Sequence, residues 1–438
     1  MNHELTLQEL ADFSAAFNEN PQNQIIARAA KRSGVLEAAY NPNVASQLTR
    51  VFSTELPTDE VSNQKHSGRC WLFATLNVLR HTFGKKYHVK NFEFSQAYSF
   101  FWDKIERANM FYDKMIDLAD KPINDREVRA YLDFAGGDGG QFHMAASLVA
   151  KYGVVPTYAM PESFNTNDTT GLAQALADKE RKDALLLRKL QVAGKTAEVE
   201  QTRKACLSEV YRIVATAVGE PPKQFDLEYR DDDKNYHLDK QLTPNQFLQK
   251  YLGDVDFNDY VVLTNAPDHD YQKAYTLPFE DNVRGQYGIK FVNVPMDVLT
   301  AAAIKQLEAG EAVWFGNDVL RQMDRKTGYL DTNLYQLNDL FGVDLDLSKA
   351  DRLRTGMGEV SHAMALVGVD VDRGEVRQWK VENSWGNKSG KAGYFVMNHA
   401  WFENYVYEVA VRKEFLTAAQ IKLAEGPATE LLPWDSLA

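Results

Sequence analysis

Residues 63–71 read Asn63-Gln64-Lys65-His66-Ser67-Gly68-Arg69-Cys70-Trp71. A cysteine here follows a glycine turn and opens a strongly apolar run, and a glutamine precedes both. Much further along the chain are Ser361-His362-Ala363-Met364 and Glu382-Asn383-Ser384-Trp385-Gly386. Gln, Cys, His and Asn in this order are the side chains that cysteine-based acyl transfer uses.

Cys70 is the predicted nucleophile. A thiol with the reference pKa of ~8.5 is mostly protonated at neutral pH, and the thiolate is the form that attacks. A helix N-terminus and a nearby imidazolium both lower a thiol pKa, and we expect the helix that begins near Cys70 and the ring of His362 to supply them. The carbonyl of Asn383 would accept the other imidazole N–H and fix the ring.

Gln64 is the predicted partner of the oxyanion. Attack on a peptide carbonyl places negative charge on its oxygen, which the Gln64 amide and the Cys70 backbone N–H would stabilise. This mechanism uses no metal ion and no cofactor, and we predict neither.

The composition is typical of a soluble globular enzyme. The chain has 438 residues, 44% of them hydrophobic and 25% charged, with a formal net charge of −12. Nucleic-acid binders usually carry a basic face, so nucleic acid is disfavoured as a partner. No window approaches the ~18 apolar residues of a membrane span, so no membrane association is expected.

The cysteine count favours a reducing compartment. Only Cys70 and Cys206 occur, which excludes a disulfide framework, and the first residues show no signal-peptide pattern. We therefore expect a cytoplasmic protein. Cys206 shares a helical stripe with Val210, Ile213 and Ala217 and is predicted to be a core residue.

Helical patterns dominate early in the chain and strand patterns later, which predicts an α+β fold. Thr6 and Glu9 form a predicted capping box, and residues 219–240 read as loop or hairpin. The predicted units are a helical extension (1–60), a helical lobe with Cys70 (61–165), an inserted helical subdomain (166–255), a β-rich lobe with His362 and Asn383 (256–425) and a C-terminal arm (426–438). Strands are expected at 260–263, 289–294, 312–315, 363–369, 379–382, 393–396 and 406–411.

The sequence resembles the bleomycin hydrolase and aminopeptidase C branch of papain-like cysteine peptidases over nearly its whole length. The motifs that carry the resemblance are Ser67-Gly68-Arg69-Cys70-Trp71, Gly137-Asp138-Gly139-Gly140-Gln141, Tyr152-Gly153-Val154-Val155-Pro156, Met160-Pro161-Glu162-Ser163, Val313-Trp314-Phe315-Gly316, His362-Ala363-Met364 and Glu382-Asn383-Ser384-Trp385-Gly386. Arg69 is characteristic of this branch. His362 and Asn383 lie about twice as far from Cys70 as the ~130–150 residues of the papain signature, as an inserted subdomain would produce.

The resemblance implies a two-lobed papain-like fold and a cysteine peptidase acting on short peptides. It implies Cys70 as nucleophile and His362 as general base and then acid. It further implies that Asn383 orients His362 and that Gln64 completes the oxyanion hole. Substrate contacts are implied for Asp138, Gly139, Gly140, Trp385 and Ala438. Members of the branch assemble as homohexamers whose active sites face an internal chamber.

The chain end departs from the pattern of the branch. There the C-terminal arm lies in its own cleft, its carboxylate anchors the substrate amine, and the arm commonly ends Trp-Asp-Pro-Met-Gly-Ala-Leu-Ala. Here the chain ends Leu432-Pro433-Trp434-Asp435-Ser436-Leu437-Ala438, which is three residues shorter after the Trp-Asp pair. At ~3.3 Å per extended residue, the Ala438 carboxylate would retreat by roughly 10 Å.

An aminopeptidase is the predicted function, and an oligopeptide endopeptidase is the alternative that the shortened arm raises. An acyltransferase with a Cys-His-acid triad is more distant, since it would usually place aspartate where Asn383 stands and would not need Gln64. A non-enzymatic scaffold that binds peptides or nucleic acid is the third alternative, and the intact catalytic positions disfavour it.

Overall fold

A computed structural model describes residues 3–438 of the chain. The helices, in chain order, are α1 Leu7–Glu19, α2 Pro21–Ser33, α3 Val35–Ala39, α4 Val44–Gln47, α5 Cys70–Tyr87, α6 Gln96–Asp117, α7 Arg126–Phe134, α8 Phe142–Tyr152, α9 Phe164–Asn167, α10 Thr170–Val192, α11 Thr196–Val218, α12 Pro244–Leu252, α13 Met296–Glu308, α14 Leu337–Phe341, α15 Lys349–Arg354, α16 His399–Tyr405 and α17 Ala418–Glu425. Short 3₁₀ turns lie at Thr157–Ala159, Phe257–Asp259 and Lys413–Phe415.

The strands follow the pattern predicted for the later part of the chain. They are β1 Thr54–Glu55, β2 Phe225–Arg230, β3 Tyr236–Leu242, β4 Tyr260–Thr264, β5 Lys273–Thr276, β6 Lys290–Asn293, β7 Val313–Asn317, β8 Met323–Asp324, β9 Tyr329–Leu330, β10 His362–Asp372, β11 Glu375–Glu382, β12 Tyr394–Asn398, β13 Val406–Arg412 and β14 Thr429–Glu430. β2 and β3 form a separate hairpin, so of the two structures considered for residues 219–240 the hairpin is correct.

One mixed sheet contains the remaining strands. Its order is β14-β5-β6-β4-β13-β7-β10-β11-β12-β9-β8, with β1 paired to β10. All seven predicted strand segments lie in this sheet, at β4, β6, β7, β10, β11, β12 and β13. β10 is central to the site because its first residue is His362 and its neighbour β11 ends at Glu382, directly before Asn383.

The N-terminal region is only partly helical. The capping box at Thr6 is present as predicted, and α1 and α2 bury no side chain in the chain described. The helical prediction for residues 1–60 is wrong beyond α4, because β1 pairs with Val369 and Gly368 of β10. β7 pairs with β10 only as far as Leu366. The backbone groups of β10 beyond Leu366 therefore need other hydrogen-bond partners on that side, and β1 provides them.

The helical part and the sheet meet where α5 packs on β10. The indole N–H of Trp314 on β7 donates to the Trp71 carbonyl at 3.2 Å. Arg80 on α5 forms a buried ion pair with Glu382, whose other carboxylate oxygen lies 2.7 Å from His81. The helix that begins at Cys70 is therefore fastened to the two strands that carry the histidine and the asparagine.

The segment predicted as an insertion contains the two longest helices, α10 and α11, which pack on each other and on α6. Cys206 is buried on α11 beside Val210 and Val214, as predicted for a core residue. No helix within residues 3–438 is both long and apolar enough to cross a membrane.

Candidate active site

The turn before α5 places Cys70 at the first position of that helix. Gly68 lies against Asp138, and a β-carbon on Gly68 would stand 2.7 Å from the Asp138 Cβ, so this turn requires glycine. The Gly68 N–H donates to the Asp138 carboxylate at 3.4 Å. The Cys70 N–H belongs to the first turn of α5, where backbone donors have no acceptor within the helix and can serve a ligand.

Arg69, directly before the nucleophile, is fully buried. Its guanidinium pairs with both Glu162 oxygens at 3.1 and 2.7 Å and donates to the Thr166 carbonyl at 2.5 Å and the Ser67 hydroxyl at 3.0 Å. A buried cation without partners would cost several kcal/mol, so these contacts are what permit arginine here. The sequence marked Arg69 only by resemblance, and its role in holding the nucleophile turn depends on contacts that no local pattern indicates.

Asn383 holds the ring of His362. The Nε2 atom of His362 lies 2.9 Å from the Asn383 Oδ1, which also accepts the Ser384 N–H at 2.7 Å. Because that oxygen only accepts, Nε2 carries the proton and Nδ1 is left to act as a base. The separation is set by the sheet, since the two residues stand at adjoining ends of paired strands.

Trp385 covers the imidazole. The ring centroids of Trp385 and His362 are 4.9 Å apart, and the Arg325 guanidinium lies 4.5 Å from the centre of the same indole. Shielding from water strengthens the hydrogen bond between His362 and Asn383. Arg325 was missed by sequence reasoning because its loop is distant in the chain and carries no recognisable motif.

Gln64 is held in a fixed orientation. Its Oε1 accepts the Ser384 hydroxyl at 2.6 Å, and its Nε2 donates to the Ser67 carbonyl at 2.6 Å. An amide nitrogen carries two hydrogens, so one remains for an oxygen atom bound in the cleft. This is the geometry that an oxyanion donor needs.

These side chains surround a cleft of about 330 Å³. The predicted site residues that line it are Gln64, Cys70, Gly139, Gly140, His362 and Trp385. Asn383 is buried behind His362. Asp138 and Ala438 both lie within the described chain but are not among the lining residues.

Asp138 supports the cleft wall from behind. Its carboxylate pairs with the buried Lys104 at 2.7 Å, and its carbonyl accepts the Trp71 indole N–H at 2.8 Å. Together with the Gly68 contact, these bonds join the nucleophile turn to the glycine segment. The Asp138 carboxylate is directed at Lys104 and Gly68, and a contact of Asp138 with substrate stays a prediction.

The C-terminal arm is fastened beside the sheet. Its strand β14 pairs with β5, and the Arg126 guanidinium lies 4.0 Å from the centre of the Trp434 ring. Asp435 lies 3.2 Å from His269, whose ring is also 3.1 Å from Asp268. The two carboxylates raise the pKa of His269 to about 10, so the ring is charged at neutral pH and holds the arm.

Ala438, at the end of the arm, is not among the residues that line the cleft. Leu437 is buried, and the Ser436 hydroxyl donates to Asp268 at 2.6 Å. None of the partners named for the arm lines the cleft. A role for Ala438 in binding the substrate amine therefore stays a prediction.

Burial acts on the pKa of both Cys70 and His362. It raises the pKa of the Cys70 thiol, against hydrogen bonds from the backbone of Ala363, Trp71 and Cys70 itself. It lowers the pKa of His362 to about 4, although the Asn383 hydrogen bond acts in the opposite direction. The expected lowering of the thiol pKa is wrong here, because desolvation outweighs the helix N–H groups.

Burial thus disfavours the charged form of the thiol and of the imidazole, each taken by itself. Among residues 3–438, no group of three or more His, Cys, Asp or Glu side chains is arranged to hold a metal ion. The arrangement offers a nucleophile, a base with one fixed tautomer and two N–H donors, which together suit acyl transfer.

This fold and this cleft are those of a cysteine peptidase. A model of the Peptidase C1-like family matches residues 4–438, and the chain belongs to that family. The match confirms the predicted peptidase class and the predicted α+β, papain-like fold.

Relatives match over the whole length. The chain is 73% identical to Aminopeptidase E of Lactobacillus helveticus over 438 residues, covering all of both chains. It is 41% identical to Aminopeptidase C of Lactobacillus delbrueckii subsp. lactis, covering 100% of this chain and 98% of that one. The crystal structure of PepW from Lactobacillus rhamnosis HN001 superposes with a TM-score of 0.97 at 43% identity, covering 100% of this chain and 99% of that one.

Proposed function

We propose that this protein is a cysteine aminopeptidase that removes residues from the N-terminus of short peptides. The observation that carries the proposal is the 2.9 Å contact between His362 and Asn383 in a cleft that also holds Cys70 and Gln64. Full-length similarity to relatives named aminopeptidase supports the N-terminal specificity.

In the first step the Cys70 sulfur attacks the scissile carbonyl while His362 Nδ1 takes the thiol proton. The proton passes from sulfur to the imidazole nitrogen, and the sulfur forms the bond to the carbonyl carbon. The Gln64 amide and the Cys70 N–H donate to the oxyanion. Collapse of the tetrahedral intermediate breaks the carbon–nitrogen bond, and His362 gives its proton to the leaving amine.

In the second step water hydrolyses the thioester on Cys70. His362 takes a proton from the water as its oxygen attacks, and the same oxyanion donors act again. Breakdown of the second intermediate releases the carboxylic acid and returns the proton to the sulfur. Asn383 keeps the imidazole in one tautomer throughout, and the backbone of Gly139 and Gly140 lies along the bound chain.

Endopeptidase activity is the second candidate, and the arm is the observation that favours it. Asp435 and Ser436 fasten the chain end to His269 and Asp268 rather than to a residue that lines the cleft. A peptide with a blocked or distant N-terminus would then meet no carboxylate from Ala438.

Substrates that differ only at the N-terminus test the specificity. An aminopeptidase should hydrolyse an unblocked aminoacyl amide with a kcat/KM at least about tenfold above that of its N-acetylated form, because acetylation removes the ammonium charge that such an enzyme recognises. Faster hydrolysis of an N-blocked oligopeptide would instead establish the endopeptidase.

A chain ending at Ser436 tests the arm in the same assay. Loss of the preference for a free amine would assign Ala438 to the substrate site. An unchanged preference would show that Ala438 does not bind the substrate amine. A Lys422→Ala variant, altered on the exterior of α17, controls for unspecific effects of changes near the chain end.

We also propose a homohexamer in which α1 and α2 contact other subunits. These helices expose a row of large apolar side chains on a chain of 49.6 kDa: Leu7, Leu10, Phe13, Phe17 and Ile25. A contiguous apolar surface of this kind is typical of an interface. Symmetric assembly of identical chains is the commonest arrangement of soluble oligomers.

Light scattering on the eluting protein tests the assembly. The wild type should elute with six times the mass of one chain, whereas Leu10→Glu with Phe13→Glu should give smaller species, because two charges would be buried without partners. Ala15→Glu, which places a charge on the other face of α1, should leave the mass unchanged. A monomeric wild type, or an unaffected double variant, would contradict the proposal.

A cytoplasmic location completes the proposal. Cys70 and Cys206 are both free thiols, and Cys70 is partly exposed. A reducing compartment protects such a nucleophile from oxidation.

A further inference from the structure

A row of three residues crosses the sheet beside the catalytic histidine. Ala363 on β10 pairs with Gly316 on β7, and Gly316 pairs with Glu408 on β13. Directly opposed residues of antiparallel strands point to the same face of a sheet. Ala363 lines the cleft, so Glu408 lies on the cleft side of the sheet, two strands away.

The missing side chain of Gly316 leaves room for the carboxyl group of Glu408. A β-carbon on Gly316 would stand 3.2 Å from the Glu408 Oε2 and 2.8 Å from the Val360 Cγ1. Val360 itself lines the cleft. Glu408 is not itself among the lining residues, so its carboxyl group lies behind the part of the cleft wall that Val360 and Ala363 form.

Glu408 has no partner in the described chain. Its side chain is fully buried, and neither carboxyl oxygen has a hydrogen-bond partner. Burial, followed by the neighbouring Glu280, raises its pKa to about 8. A buried carboxyl group without a partner is costly, and such groups concentrate at functional sites.

Glu280 links this group to the opposite wall. It is also buried, and burial raises its pKa to about 7. One oxygen accepts the Gln141 amide at 3.3 Å, and Gln141 follows Gly140, which lines the cleft. Glu280 thus lies beside Gln141 and close enough to Glu408 to raise the pKa of that carboxyl group.

Geometry fixes which part of a substrate reaches them. Neighbouring strands are ~4.8 Å apart, so Glu408 lies roughly 10 Å across the sheet from Ala363, whose backbone is in hydrogen-bond contact with the Cys70 thiol. The leaving amine must face His362 and Trp385, on the other side of β10. The residue that reaches Glu408 is therefore the one before the residue whose carbonyl Cys70 attacks, at ~3.3 Å per extended residue plus a side chain.

We propose that Glu408, with Glu280 beside it, binds a cationic nitrogen of the substrate, either the α-ammonium group or the basic side chain of the residue before the attacked one. Binding converts an unpaired buried carboxyl group into a hydrogen-bonded ion pair. This proposal rests on the proposed peptidase function, and it applies to substrates that carry a residue before the attacked one, as in release of a dipeptide or in cleavage by the endopeptidase candidate.

Four fluorogenic dipeptide amides test the proposal. Acetyl-lysyl-alanyl and acetyl-norleucyl-alanyl amides compare a basic with a neutral side chain. The unacetylated forms then test the α-ammonium group. The wild type should show a kcat/KM at least about tenfold higher for one cationic substrate than for acetyl-norleucyl-alanyl amide. Preference for the lysyl over the norleucyl substrate would identify the basic side chain as the bound cation, and preference for the unacetylated forms would identify the α-ammonium group.

Glu408→Gln keeps the shape of the side chain and removes the charge. The cationic preference should fall below about threefold, while kcat/KM for acetyl-norleucyl-alanyl amide changes little. Glu180→Gln is the matched control, since Glu180 is buried, has its pKa raised to about 7 by burial, and lies on α10. This control should retain the wild-type preference.

The outcomes separate the two proposals. A wild type that hydrolyses all four substrates equally, or a Glu408→Gln variant with an unchanged preference, overturns the cation site. Equal hydrolysis of all four substrates by the wild type overturns the cation site even if the variant does not fold, whereas a preference for a free amine supports it only where Glu408→Gln removes that preference. Failure to hydrolyse any peptide substrate, with Cys70 unreactive, would overturn the peptidase function instead.

Discussion

Cys70→Ser is expected to lower peptide hydrolysis by about 10⁴-fold or more and to abolish labelling by an epoxide thiol reagent. Cys70 is the thiol at the start of α5 and lines the cleft beside His362. A serine hydroxyl at that position has a much higher pKa than a thiol, and loss of one member of a catalytic unit costs nearly the whole rate. Steady-state kinetics and mass spectrometry of the labelled protein measure both effects.

Cys206→Ser is the matched control. Cys206 is buried on α11, and burial together with Asp183 raises its pKa to about 11, so it supplies no thiolate at neutral pH. This variant should keep both activity and labelling. Continued labelling of Cys70→Ser at the wild-type rate would disprove the assignment of the nucleophile.

His362→Gln is expected to remove hydrolysis while leaving the protein folded, because the ring that accepts the thiol proton is gone. The same change should alter how stability depends on pH. The pKa of His362 in the folded protein is about 4, so between its ordinary value near 6.5 and about 4 only the unfolded chain takes up this proton. As the pH falls through this range, the wild type should therefore lose about 1.4 kcal/mol of unfolding free energy per pH unit through this group. The variant should not show this loss.

Urea unfolding between pH 6.5 and 4.5, with kinetics at neutral pH, measures both effects. His143→Gln is the control, because burial also lowers the pKa of His143 to about 4. It should flatten the pH dependence of stability as well but retain activity. Substantial turnover by His362→Gln, or equal pH slopes for that variant and the wild type, would contradict the assigned role.

The predictions from sequence were most accurate where a short motif and its physical requirement coincide. Cys70 had to start a helix after a glycine turn, and Asn383 had to follow the strand that ends at Glu382. Both requirements are local, so the pattern contained them. Seven of the twelve strands of the sheet were found for the same reason, since runs of β-branched and aromatic residues mark buried strands.

Features that depend on contacts between distant segments were not predictable. The carboxylate of Asp138 is directed at Lys104 instead of the cleft, and the arm is held by His269 and Asp268. β1 exists only because β7 leaves part of β10 without a neighbour. The pKa direction of Cys70 was missed because a sequence shows the helix N-terminus but not how deeply the thiol is buried.

The ion pair between Arg69 and Glu162 has a consequence for redesigning this protein. Glu162 and the Thr166 carbonyl come from the segment that leads into α10. A substitution where the helical pair α10 and α11 begins would therefore have to be matched by one in the turn before Cys70. The far end of the same helical pair, at residues 193–195, is exposed and shares none of these bonds. A fluorophore or a guest domain attached at residues 193–195 would therefore not disturb the contacts of Arg69 that hold the turn before Cys70.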